Sequence, residues 1–132
     1  MFLKNAIKHC GELYQKYKRM TLVSNKSTLT ASHLAQKNLL SCTPNTPLCE
    51  AAQLIRSHKT SSILIEEGGK TIGIWTEADC AKLSFEQQDY FDCPIKQFMS
   101  SPVLTISAAT PLQKIVMAFY RHRVRHLLVV DE

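Results

Sequence analysis

At 132 residues the chain has room for one domain with a real core, or for two small lobes that share one, and not for two independent domains. An apolar fraction of 45% and a charged fraction of 20% are those of a soluble globular protein, and no apolar run nears the roughly 18 residues of a membrane span, which excludes a bilayer-crossing protein. The net charge of +5 is uneven: residues 1–38 carry seven Lys/Arg and one acid, residues 39–132 nine and ten, so the folded part lacks the basic surface of a nucleic-acid binder.

Five cysteines at positions 10, 42, 49, 80 and 93 form no C-x-x-C pair, which argues against a disulfide framework and a zinc ribbon. The five histidines are scattered and offer no zinc-ligand spacing. The N-terminus has no unbroken apolar core and no small-residue cleavage site, so it does not read as a secretory signal, and a cytoplasmic protein is expected.

In chain order, Leu3, Ala6, Cys10, Leu13 and Tyr17 recur at steps of three and four, predicting an N-terminal amphipathic helix over residues 3–17 with Glu12 four residues before Lys16. A Ser/Thr-rich linker follows at residues 20–30, then a short helix over Ser32 to Lys37. Thr46 and Pro47 read as N-cap and N1 of a helix whose apolar positions are Leu48, Ala51, Ala52 and Ile55. The run Ile63-Leu64-Ile65 reads as a buried strand, Glu67-Gly68-Gly69-Lys70 as a hairpin turn, and Thr71 to Trp75 as an antiparallel partner. A helix over Glu77 to Leu83 is predicted next, capped by Thr76. A second set follows: Ser101 to Ile106, a helix with Leu112, Ile115, Val116 and Phe119 on one face, and the apolar run Leu127 to Val130.

These two sets are one repeat. Residues 46–68 lie over residues 110–132 at a constant offset of 64 without a gap, with Thr46-Pro47-Leu48 on Thr110-Pro111-Leu112, His58 on His122 and Leu64 on Leu128. The second copy reaches Asp131-Glu132 at the end of its long strand, and its hairpin partner and Thr-x-x-Asp helix would fall near positions 137–143. An exposed edge at Leu127 to Val130 is therefore expected, with a second chain as its cover.

The unit, repeated in tandem and ending in Gly73-Ile74-Trp75-Thr76-Glu77-Ala78-Asp79, resembles the CBS domain pair, or Bateman module. Further carriers are Thr46-Pro47-Leu48 with its helix, Ile95 to Met99 with Ser101 to Ile106, and Arg125 to Asp131. The resemblance spans about three quarters of the chain and implies an α/β (α+β) fold of tandem β-α-β-β-α units with pseudo-twofold symmetry, preceded by the N-terminal helix. The expected divisions are 1–33 for helix and linker, 34–90 for the first unit and 91–132 for an incomplete second. It also implies clefts that bind AMP, ADP, ATP or S-adenosylmethionine as regulatory ligands, with no cofactor required. In ligand-binding members the Asp of Thr-x-x-Asp takes the ribose hydroxyls, which would be Asp79 here, with Thr76 beside it. Phosphate contacts would fall to Arg125 and His126, with Arg123 close by. Their counterparts in the first copy are Ser61 and Ser62, which predicts unequal sites.

The residues alone leave plainer alternatives open. Thr76 and Asp79 also fit a capping box, and Arg121, Arg123 and Arg125 fit a solvated helix end favoured by the helix dipole. No Ser-His-Asp or Cys-His arrangement and no paired carboxylates are readable, so an enzyme is not expected. The reading is a regulatory module that binds an adenine nucleotide, self-associates as a homodimer and controls an attached or partner output domain, with no nucleic-acid or membrane partner. The alternative is a ligand-free dimerisation module of a larger signalling protein.

Overall fold

The computed structural model of the chain describes residues 2–4, 29–83 and 88–131. In chain order its elements are β1 (Phe2–Lys4), α1 (Ala31–Leu34), β2 (Ser41–Cys42), α2 (Leu48–Ser57), β3 (Ser62–Glu67), β4 (Lys70–Thr76), α3 (Glu77–Cys80), β5 (Thr105–Ser107), α4 (Leu112–His122) and β6 (His126–Val130), with 3-10 turns at Gln88–Tyr90 and Ile95–Gln97 between α3 and β5. The fold is mixed α and β, and it divides into two compact units: Leu39–Val103, and Met1–Asn38 together with Leu104–Glu132.

In the unit Leu39–Val103 the sheet order is β2-β3-β4. Ser41 and Cys42 run parallel to Leu64 and Ile65, and β4 returns antiparallel through a turn in which Gly68 (φ 56°) and Gly69 (φ 76°) take the left-handed backbone that glycine permits. The apolar stripe of α2 supplies Leu48, Ala51 and Ile55, which pack with Ile63, Ile65, Trp75 and Ile95 in one core. Strand alternation puts Ile63 and its partner Trp75 toward that core.

The second unit repeats the arrangement. Its sheet order is β1-β6-β5, and Thr105↔Leu128 and Ile106↔Val129 are the pairs Ser41↔Leu64 and Cys42↔Ile65 moved by the offset of 64. Ile115 and Phe119 of α4 pack with Leu127, Val129 and Ala31. Ala31 is drawn in by backbone bonds, its N–H to the Thr110 carbonyl at 2.8 Å and the Leu112 N–H to the Leu29 carbonyl at 2.9 Å.

Four expectations change. The predicted helix over 3–17 does not begin where expected: Leu3 and Lys4 lie in β1, antiparallel to β6, because a sheet edge offers backbone partners that a local periodicity cannot register. Residues 5–17 of that prediction lie outside the described residues. For the same reason the outer edge of β6 is covered by β1 rather than left for a second chain, and Leu127, Leu128 and Val129 are buried. Thr46 does not cap α2. Pro47 is the cap, its carbonyl accepting the Ala51 N–H at 3.1 Å, while Thr46 Oγ1 accepts the Thr43 N–H at 3.2 Å. Finally, α3 stops at Cys80 and tightens into turns through Leu83, with the Lys82 N–H on the Asp79 carbonyl at 3.1 Å.

Candidate functional site

Strand β4 delivers Thr76 to the mouth of α3. The approach requires Gly73, because a Cβ there would stand against the Met99 side chain, whose Sδ is its nearest neighbour and whose Cβ would lie at 3.2 Å. That closeness lets residues 99–101 run along β4. Ile74 and Ser100 exchange backbone bonds of 3.0 and 2.8 Å, and Ser101 Oγ donates to the Ile72 carbonyl at 2.7 Å. On the other side of Thr76, the Glu77 N–H donates to the Ser61 carbonyl at 3.0 Å. Trp75, the single tryptophan of the chain, is buried immediately before Thr76, and its Nε1 has no hydrogen-bond partner.

Thr76 and Asp79 are brought together as a reciprocal cap. Thr76 Oγ1 donates to Asp79 Oδ2 at 2.7 Å and accepts the Asp79 N–H at 3.3 Å, and the Thr76 N–H donates to the same Oδ2 at 3.1 Å. Among the described residues, Asp79 Oδ1 receives only Lys82 Nζ, at 2.9 Å, from a lysine side chain 76% exposed against 16% for the aspartate. Oδ2 therefore has both lone pairs engaged, while Oδ1 holds an exposed surface cation and keeps room for another donor. Burial raises the Asp79 pKa, but the hydrogen bonds from Lys82 and Thr76 outweigh it and hold the carboxyl below its usual 3.8. Asp79 is thus an ionised, oriented acceptor at neutral pH.

Arg123, Arg125 and His126 lie in the other compact unit, at the passage from α4 to β6. Arg123 ends α4 in the left-handed conformation, φ 52° and ψ 32°. Lys59 holds the same repeat position after α2, with φ 51°. Arg123 and Arg125 are exposed, and His126 is half-buried as the first residue of β6, in register with Lys4. Two arginines and a histidine within four residues can pair with an anion, and Arg does so in bidentate fashion.

Lys82 was not singled out from the sequence, although its place three residues after Asp79 on a helical turn was a readable signal. Among the described residues, no group of His, Cys, Asp and Glu is placed to hold a metal ion, and no helix is long and apolar enough to cross a membrane.

A protein-family model described as CBS domain matches residues 31–86 and 95–132. The CBS domain-containing protein YhcV of Bacillus subtilis (strain 168) is 27% identical over 89 residues, 67% of this chain and 64% of that protein. The chain spans 64% and 60% of the length of the two curated relatives it matches. Among solved structures it is similar to an uncharacterized conserved protein from Pyrococcus horikoshii, with a TM-score of 0.73 and 23% identity over 82% of this chain and 83% of that one. It is similar also to the CBS domain protein PAE2072 from Pyrobaculum aerophilum, which is complexed with AMP (TM-score 0.69, 19% identity, 79% and 80% covered). The CBS domain pair of protein MJ0100, in complex with 5′-methylthioadenosine and S-adenosyl-L-methionine, matches with a TM-score of 0.68 and 24% identity over 80% and 82%. These likenesses are of fold.

Proposed function

The chain belongs to the CBS domain family, with two matched segments that make a tandem pair, and from that premise we propose that it is a regulatory module that binds an adenosyl ligand at Asp79. The observation that carries the reading is the division of labour on the Asp79 carboxylate. Oδ2 is pinned by Thr76, which fixes the group's direction, and Oδ1 is held, among the described residues, only by an exposed lysine that a ligand can displace. A ribose hydroxyl is a donor suited to Oδ1, and both hydroxyls of a cis-diol can share its two lone pairs. The AMP in PAE2072 and the adenosyl compounds in the MJ0100 pair support the ligand class.

Arg123, Arg125 and His126 are proposed as an anion site suited to phosphate. Occupancy would reach an attached or partner domain by favouring one packing of the pair over another, so the ligand must bind the two packings unequally. The test is a titration of the chain with AMP, ADP, ATP and S-adenosylmethionine, followed by the fluorescence of Trp75. Saturable quenching that is lost in Asp79→Ala supports the reading, and identical curves for both chains overturn it.

Self-association is a second reading, carried by a different observation. Met117 and Tyr120 are 65% and 85% exposed on one face of α4, where the repeat places Gln53 and Arg56 on α2. Apolar side chains at these positions suit a face that meets a second copy. Sedimentation velocity of the chain and of Met117→Gln/Tyr120→Arg tests it: a dimer reduced to monomer supports the contact, and an unchanged distribution removes it.

A further inference from the structure

The repeat shows what the fold itself requires of the outer face of α4. That face and the turn after it carry Lys114, Met117, Tyr120, Arg121 and Arg125, where the same positions on and after α2 carry Glu50, Gln53, Arg56, Ser57 and Ser61. Both helices bury the same stripe, Leu48, Ala51 and Ile55 in one and Leu112, Ile115 and Phe119 in the other. Packing therefore asks for neither an arginine pair nor an aromatic ring outside. All five residues of the second copy are exposed, and Tyr120 is 85% exposed.

The charge around them is one-sided. No acid occurs between Asp92 and Asp131, while Lys96, Lys114, Arg121, Arg123 and Arg125 fall in that interval. The near-neutral sum over residues 39–132 conceals this, because eight of its ten acids precede residue 93. Among the described residues, Lys114, Arg121, Arg123 and Arg125 have no ion-pair partner. Like charges left uncompensated repel one another and draw an anion.

We propose that the outer face of α4, with the turn into β6, is a docking surface for a single strand of nucleic acid: Arg121, Arg123 and Arg125 take its phosphates, and Tyr120 stacks on a base. The planar donors of arginine match a phosphate in bidentate fashion, and an exposed ring accepts the face of any base. The inference goes beyond the phosphate assigned above to Arg123, Arg125 and His126, since it adds Tyr120 and Arg121 and takes a polyanion. Other occupants fit less well. Self-association across this face would set the arginines of one copy against those of the other, a like-charge contact that costs affinity. Met117 and Tyr120 would bury less apolar surface in a bilayer than one acyl chain, which by itself binds a membrane only marginally. A duplex keeps its base faces stacked and out of reach of Tyr120.

Fluorescence anisotropy of a labelled oligothymidylate, about 12 nucleotides long to span one site, tests this on the full chain at several salt concentrations. The native chain should bind, with affinity falling steeply as salt rises. Arg121→Ser/Arg125→Ser, which installs the residues of the first copy, should reduce the slope of log affinity against log salt by about 1.4. Tyr120→Ala should weaken binding roughly 5- to 150-fold at unchanged slope. These positions face solvent, and circular dichroism melts establish that both variants are folded. Absence of binding by the native chain overturns the proposal. Equal binding by the native chain and both variants also overturns it, and moves the attraction to the basic residues 1–38. A reduced slope in the arginine variant without loss in Tyr120→Ala overturns the stacked strand. Capture by phosphatidylserine vesicles without capture of the oligonucleotide overturns it in favour of a lipid surface, and a dimer that binds no strand does so in favour of a second copy. Thymidylate carries no adenosyl group, so none of these results depends on the proposed site at Asp79.

Discussion

The hydroxyl of Thr76 and the carboxylate of Asp79 hold each other. Oγ1 donates to Oδ2 at 2.7 Å and receives the Asp79 N–H at 3.3 Å. One oxygen of the aspartate is thereby consumed by the fold, and the other, Oδ1, meets only Lys82 among the described residues. The capping box leaves Oδ1 open to the proposed ligand, so the two accounts of Asp79 do not compete.

The capping box has a pH signature. The folded pKa of Asp79 lies below 3.8 because the bonds from Lys82 and Thr76 outweigh burial. A depressed carboxyl contributes stability that is fully present above its unfolded value and is lost as pH falls through the folded one. Asp79→Asn should flatten the fall of stability below about pH 4, and Asp79→Ala should cost about 0.5 to 2 kcal/mol at neutral pH. Urea denaturation from pH 2 to 7 measures both.

Lys82 should be dispensable for folding and an obstacle to binding. An exposed ion pair is worth about 0 to 1 kcal/mol, so Lys82→Ala should barely move the melting midpoint. On the proposed function the same change frees Oδ1 and should tighten binding of uncharged adenosine. Calorimetric titration of adenosine into both chains checks this.

Gly73 is fixed by Met99. Gly73→Ala should destabilise by about 1 to 3 kcal/mol through overpacking against that side chain. Adding Met99→Ala should recover part of the loss, although the Met99 Cβ at 3.2 Å remains. A double-mutant cycle in urea gives the coupling.

Arg123 separates fold from function. A non-glycine residue at φ 52° carries strain, so Arg123→Gly should raise stability by up to about 1 kcal/mol. If Arg123 belongs to an anion site, the same variant should weaken binding of inorganic phosphate. A variant more stable and unaltered toward phosphate would return Arg123 to the role of a helix end.

Much of this fold was legible because its information is local and repeated. The offset of 64 that superposes Leu48 on Leu112 in the sequence reappears as strand register, and the apolar faces Leu48, Ala51, Ile55 and Leu112, Ile115, Phe119 are buried as their spacing requires. What was missed depends on contacts distant in sequence. Nothing near Phe2 announces pairing with Leu128, and the steps of three and four after Leu3 favoured a helix that the edge of β6 overrides at Leu3 and Lys4. Met99 lying over Gly73 was equally invisible. The Thr76–Asp79 pair was found from its spacing, but the saturation of Oδ2 could not be, because it depends on which rotamers the two side chains take.

The most direct test of the central claim is thermal melting of the chain and of Asp79→Asn with AMP and with 2′,3′-dideoxy-AMP, each at saturating concentration. A ligand at about 100 times its dissociation constant adds roughly 2.7 kcal/mol, a shift of several degrees for a protein of this size. The account predicts that shift for AMP on the native chain alone, with little for the dideoxy compound or for the variant. Equal shifts for AMP and its dideoxy analogue, or no shift with either, would contradict a ribose site at Asp79.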